Sequence, residues 1–513
     1  MGTSTCVPSC FAHSLLWAGL LLTFHAGCEQ DAKDCSASTD TLSARTVVVC
    51  RQAADMAMQI PDLSQRLDLQ PPPVQHLTHL WSRSYPAPPD GLRVDPAGGI
   101  LLTGLCPRNT DFGLGPICNG SGSDYVFVNK LDDRGVRVWA SAYTSSYRLW
   151  PTPNLMLSDA GDAIITGISS HWSYESSYTF PCGSLSATTN SYAYYIAQIT
   201  NASGSCMAGS AYETTNYGAA DGPVAVNKLQ TQFWAGNSAG GLTLDTRSTF
   251  RVLPYTFLMA TRQDGSGLIR DYSSPSMYPP VYVYWQHMLA DGVDNTYLLG
   301  NTLSSTLLAK VDSSGQEVWR KNLPGAVTLV LPRPGMRSGS NWGRMALSSS
   351  GRVAVAMYLP GARDFGGGSI GGSGTNLFVA VYDATTGAHL FSRGFPIQPA
   401  DASVDMGSTL YLRFMSSGDL VVGGSFNQSL DLGGGQLVAV GSAAGDSDIF
   451  IGLFDGTGTH IASKRFGSLG TDVLRGMDVD SQNNLVITGS MPGAIDLGGG
   501  PIVGNYFVGK LAR

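Results

Sequence analysis

An all-β fold is expected from three observations: a glycine- and proline-rich composition, period-two apolar patterning, and a repeat that returns the same order of short strands and turns. The 513 residues include 63 Gly and 27 Pro, with 13% charged and 43% hydrophobic residues. That mixture suits many short strands joined by tight turns better than helical bundles or disorder. Length alone decides little, because repeat-built β folds often exceed the size of an average domain.

The last copy shows the repeat best. Met477-Asp478-Val479-Asp480 reads as a short strand, Ser481 to Asn484 as a turn, and Leu485 to Ser490 as a second strand. Asp496-Leu497-Gly498-Gly499-Gly500 follows, and then a third strand from Tyr506 to Leu511. Earlier copies begin near Leu92, Leu155, Val224, Met288, Met345 and Leu412, giving seven in all. Third and fourth strands form hairpins around Gly-containing turns, as in Val126 to Trp139, Leu307 to Trp319, Phe378 to Phe391 and Ile449 to Ile461. Such spacing fits a type I turn with a Gly bulge. Four antiparallel strands per copy are the blades of a propeller, in which sheets bury their faces against one another. The fold class expected over residues 76–513 is therefore a closed β-propeller of about seven four-stranded blades.

The two ends bear on closure. The seventh copy stops after its third strand, and His79-Leu80-Trp81-Ser82-Arg83-Ser84-Tyr85 resembles the fourth-strand segments Phe391 to Phe395 and Ala462 to Phe466. The N-terminal strand is expected to complete the last blade, which removes exposed sheet edges.

Ahead of the propeller, residues 1–27 read as a signal peptide, with an apolar stretch from about Phe11 to Phe24 that is short for a bilayer span. Ala26-Gly27-Cys28 resembles the bacterial lipoprotein processing site, which implies lipid attachment at Cys28 and a membrane-anchored protein of the cell envelope. Ordinary cleavage near Ala26 would make it secreted instead. Residues 28–75 read as a tether with a short helix near Arg45 to Met58 and a stiff Pro71-Pro72-Pro73 segment. Six cysteines then remain, and pairing of neighbours is expected: Cys35 with Cys50, Cys106 with Cys118, Cys182 with Cys206. No cysteine or histidine spacing fits zinc, so no metal is expected.

Asp-(Phe/Leu)-Gly-Gly-Gly recurs at 364–368, 431–435 and 496–500, with Asp-Phe-Gly-Leu-Gly at 111–115, each followed by strands like Phe-Val-Ala. The pattern resembles the bacterial seven-bladed β-propeller repeat family of secreted and surface lipoproteins. The resemblance implies a scaffold and brings no shared catalytic residues.

Other motifs read as structural. Gly236-Asn237-Ser238-Ala239-Gly240 has the letters of an esterase nucleophile elbow, but Leu242-Thr243-Leu244 does not start a helix. Asp478 to Asn483 spaces oxygen ligands as a calcium loop does, yet lacks its central Gly and bidentate Glu, and is read as hairpin chemistry. Tyr382-Asp383-Ala384-Thr385-Thr386-Gly387 resembles the tryptophan-docking motif of quinoprotein propellers in one copy. Glycines of the Asp-Gly-Gly-Gly segments are read as positive-φ loop residues, not a phosphate loop. The histidines His76, His79, His171, His287, His389 and His460 are scattered.

Long aromatic loops are the candidate binding surface: Tyr147, Trp150, Trp172, Tyr174, Tyr178, Phe180, Tyr278, Tyr282 and Trp285. A binding or scaffold module for a protein or glycan, without cofactor and monomeric, is expected. The alternative is a propeller enzyme of hydrolase, lyase or quinoprotein type with its site at the central channel. A net charge of −7 without Lys/Arg runs argues against nucleic acid, and contact with the membrane is expected only through the lipid.

Overall fold

The computed structural model describes the strands Cys35–Thr39 and Thr46–Cys50. From 76 to 513 it describes all residues except 114, 120–123, 146–153, 171–176, 181, 187–191, 215–223, 227–231, 238–255, 262–266, 272–282, 303–304, 326–342, 399–408 and 442–445. The chain divides into two compact units, 1–74 and 75–513.

Within the segment expected to be helical, Thr46–Cys50 is a strand, and residues 51–58 lie outside the described residues. Thr46-Val47-Val48-Val49-Cys50 is a β-branched run, which favours extended backbone, and it pairs with Cys35–Thr39. The register sets Cys35 opposite Cys50. Cys28 and the signal segment lie outside the described residues.

The second unit is an all-β propeller, and every element assigned among the described residues is a strand. In the first copy Gly91–Val94, Ile100–Cys106, Asp124–Leu131 and Arg137–Ser145 pair in chain order. The innermost strands of the other copies are Asn154–Leu157, Val224–Val226, Tyr284–Ala290, Arg344–Leu347, Tyr411–Phe414 and Val473–Val479. Each packs beside the next, and Val473–Val479 packs beside Gly91–Val94. Among the described residues six sheets have four antiparallel strands and one has six, so six plain blades stand where the repeat predicts seven. The sheet of the fifth copy departs because the hairpin Ser429–Asp431/Gln436–Val438, from the next copy, pairs with its outer strand through Ile397↔Leu430 and Gln398↔Ser429.

Thr78–Tyr85 pairs antiparallel with Pro501–Ala512, and the sheet continues through Leu485–Asp496 to Val473–Val479. Tyr85, Leu92 and Phe127 share a buried cluster with Val486 and Val508, so apolar burial spans the first and seventh copies.

The Asp-Φ-Gly-Gly-Gly motif has a complete local explanation. Its Asp Oδ1 accepts the N–H groups two and four residues on: Gly366 and Gly368 at Asp364, Gly433 and Gly435 at Asp431, Gly498 and Gly500 at Asp496. Those glycines hold φ between 98° and 115°, a region L side chains avoid. The apolar residue is buried, as Phe112, Phe365, Leu432 and Leu497 all are. The middle glycine lies against a histidine at the start of the fourth strand: Gly367 on His389, Gly434 on His460, Gly499 on His79. In the first copy Leu114 replaces that glycine and Arg137 stands where the histidine would be, its charge acting on Asp111.

Candidate functional site

Of the candidate aromatic surface, Tyr147, Trp150, Trp172, Tyr174, Tyr278 and Tyr282 lie outside the described residues. Tyr178 and Phe180 belong to the strand Ser177–Phe180, paired with Gly183–Ser186. Trp285 is a correction. The innermost strand of the fourth copy starts at Tyr284, ahead of the expected Met288, because the apolar and aromatic run continues the strand upstream. Trp285 is consequently 5% exposed and packs with Val283, Met288 and Leu298.

The expected disulfides Cys106–Cys118 and Cys182–Cys206 are present, and adjacent pairing holds for both. Three of the histidines, His79, His389 and His460, back the glycine motif; His79 and His389 also hydrogen-bond Ser82 and Ser392 through Nε2 at 3.0 and 3.1 Å. His171 lies outside the described residues, as do Ser238 to Gly240 of the elbow-like segment. Asp480 caps its own turn, accepting the N–H groups of Gln482 and Asn484 and pairing with Lys510 at 2.8 Å. That is hairpin chemistry.

The docking motif at 382–387 does receive a tryptophan. Trp319, on the outer strand of the fourth copy, packs on Gly387 and donates its indole N–H to the Ala384 carbonyl at 3.2 Å. The same arrangement joins Trp139 to Gly204 and Asn201, and Trp81 to Gly135 and Asp133, with indole hydrogen bonds of 2.9 Å each. Only the glycine turn is shared between these acceptors, so the sequence shows the motif once although the contact recurs.

The innermost strands hold charged residues that the repeat pattern alone does not single out. Arg93, Arg413 and Asp478 occupy the same repeat position in copies one, six and seven, where copies two to five carry Met156, Ala225, Leu289 and Ala346. Arg413 Nε donates to Asp478 Oδ1 at 2.8 Å, and the Val94 N–H donates to Asp478 Oδ2 at 2.9 Å. Arg93 Nη1 donates to the Leu92 carbonyl at 2.7 Å. Burial first, and then the charge of Arg413, push the Arg93 guanidinium down to about 10, with Asp478 pulling the other way.

Next along the arc, Arg344 Nε donates to the Leu410 carbonyl at 3.1 Å, and the Met345 N–H donates to His287 Nδ1 at 3.2 Å. Burial, then Arg344, Arg413 and Arg93 in turn, hold His287 well below the usual imidazole range. His287 is therefore neutral at pH 7, and because Nδ1 accepts, the hydrogen-bond network assigns its proton to Nε2. Toward the start of the same strands, Arg475 Nη1 meets Asp90 Oδ1 at 2.5 Å, and the Tyr411 hydroxyl donates to the Arg475 carbonyl. A charged residue at a repeat position that is otherwise apolar was the available signal.

Elsewhere, Asp448 and Asp472 are fully buried where the sixth copy passes to the seventh. Asp448 Oδ2 pairs with Arg465 at 2.5 Å and accepts the Val440 N–H at 2.9 Å. Burial, with a smaller push from Asp448, raises the Asp472 carboxyl to about 6, against the 2.7 Å hydrogen bond from the Ser468 N–H. Among the described residues no group of three or more His, Cys, Asp or Glu side chains is placed to hold a metal ion.

No protein-family model and no curated protein sequence matches the chain. Solved structures similar to it include BamB from Moraxella catarrhalis, at 12% identity over 85% of this chain and 100% of that one, with a TM-score of 0.36. Quinohemoprotein alcohol dehydrogenase from Comamonas testosteroni is similar at 12% identity over 86% and 77%, TM-score 0.36. A europium-containing methanol dehydrogenase is similar at 10% identity over 85% and 93%, TM-score 0.35. Likeness at this level leaves the function to be argued from the residues of this chain.

Proposed function

We propose that the chain is an exported, lipid-anchored propeller of seven blades, closed by the strand Thr78–Tyr85, which works as a binding module for a protein or glycan. Supporting the closure are the antiparallel register from Thr78↔Ala512 to Tyr85↔Tyr506 and the packing of His79 on Gly499, as in the fifth and sixth copies. The Ala-Gly-Cys segment is what supports a lipid on Cys28.

The observation that carries the binding role is the arc of Arg93, Arg344 and Arg413 on the innermost strands, with neutral His287 at its end. Guanidinium groups stay charged near neutrality and serve poorly as proton donors or acceptors, so the arc suits holding a ligand rather than transferring protons. One observation favours the rival enzyme reading: the raised carboxyl of Asp472 beside Asp448. Both groups are 0% exposed, which keeps them from substrate in this conformation.

Retention of the full-length chain on arrays of envelope glycans, together with cross-linking to envelope proteins in membranes, tests the role. Saturable retention of one class is expected, without turnover of ester, glycoside or alcohol substrates. Turnover without retention would replace the binding module with an enzyme. Fatty-acid labelling that disappears in Cys28→Ala is the expected result for the anchor.

A further inference from the structure

The arginine arc on the innermost strands also specifies the chemistry of a ligand, an argument that rests on the binding role just proposed. Five inner strands contribute in ring order: His287 from copy four, Arg344 from five, Arg413 from six, Asp478 from seven and Arg93 from one. A guanidinium carries five N–H donors in a planar fork that matches two oxygens of one anion. Arg413 is aligned by Asp478 at 2.8 Å and by the Leu412 carbonyl at 2.9 Å, and Arg93 by the Leu92 carbonyl at 2.7 Å, which leaves further N–H donors on both.

Asp478 sits between these two arginines in ring order and offsets one positive charge of the pair, which leaves one in excess. A cation would be repelled here, and a neutral sugar would gain nothing from the charge. We propose that the arc seats an oxyanion, a phosphate or carboxylate group carried by a small ligand, with Arg93 and Arg413 as forked donors and Asp478 orienting Arg413. His287, neutral and protonated on Nε2, adds an uncharged donor without competing for the anion's proton. Because each contributor comes from a different copy, the seat exists only when those copies are assembled.

Calorimetric titration of the full-length chain at pH 7 and low ionic strength, with inorganic phosphate and separately with succinate, tests this assignment. Binding that weakens with added sodium chloride is expected. Response to phosphate alone points to a phosphorylated ligand, and response to succinate to a carboxylate ligand. Arg93→Gln, whose hydrogen-bond partner among the described residues is a carbonyl rather than a carboxylate, should bind roughly tenfold more weakly, the loss expected for one charge-assisted hydrogen bond. Arg320→Gln, which removes an exposed pair with Glu317, should bind as the unaltered chain does. Arg413→Gln should weaken binding in the same way, and if it fails to fold, Arg93→Gln still decides the matter. Absence of binding for both anions by the folded unaltered chain, or equal affinity in Arg93→Gln, overturns the proposal. Retention on glycan or protein partners is read separately, so the wider binding role can stand or fall apart from this seat.

Discussion

At Gly434 the imidazole of His460 occupies the space a Cβ would need, whereas at Gly435 that space is open and φ is 103° to 108° across the flanking glycines of the motif. Gly434→Ala should therefore lose about 1–3 kcal/mol by overpacking. Urea unfolding checks this, and the double substitution Gly434→Ala/His460→Ala should recover part of the loss, since the clash has one partner. Asp472 gives a second residue-scale expectation. Its folded carboxyl holds a proton to about pH 6, while the unfolded chain releases it near 3.8, so the folded state binds more protons between those values. Stability must then fall as pH rises through that window and stay lower above it. Asp472→Asn should be more stable at pH 7 by about 1–2 kcal/mol and flatten the curve between pH 4 and 6, as thermal melts across pH would show. The positive φ of the motif glycines was legible from their repetition. Their histidine partners were not, because His79, His389 and His460 lie well outside the motif in sequence and their role is visible only where the chain folds back.

Strands and hairpins carry the next set of expectations. Trp139 is anchored by one indole hydrogen bond to the Asn201 carbonyl and by stacking on Gly204. Trp139→Phe keeps most of the packing and should cost about 1 kcal/mol, measurable by chemical denaturation. Cys106–Cys118 ties the end of the second strand of copy one to its following loop. Replacing both cysteines with serine should cost about 2–4 kcal/mol, and reduction of the unaltered chain should reproduce that loss. Strand positions were readable from apolar alternation in most copies. Thr46–Cys50 lies within the segment expected to be helical, but its local β-branched run decides for a strand. Trp285 was misplaced for a similar reason: aromatic residues near a long loop look exposed until the strand is seen to begin at Tyr284.

For the molecule as a whole, the proposed closure makes Thr78–Tyr85 worth more than eight residues of edge strand. Deleting residues 76–86 strips the outer edge from Pro501–Ala512 and removes Trp81 from the turn at Gly135. The shortened chain should lose its cooperative unfolding transition, which near-ultraviolet circular dichroism during a urea titration would detect. The repeat and its missing fourth strand were visible in the sequence because both are patterns along the chain. The arginine arc was not, because Arg93, Arg344 and Arg413 become neighbours only through the order of the inner strands. The antiparallel register from Thr78↔Ala512 to Tyr85↔Tyr506 has a mechanical consequence. The chain enters this pair beside the point where it leaves, so tension between residues 75 and 513 would load one rung at a time, like a zipper, rather than shear all rungs together. A propeller pulled by both ends would open first at its seam, under a force set by the Thr78 and Ala512 rung alone, while a pull exerted through a partner elsewhere on the ring would leave that seam shut.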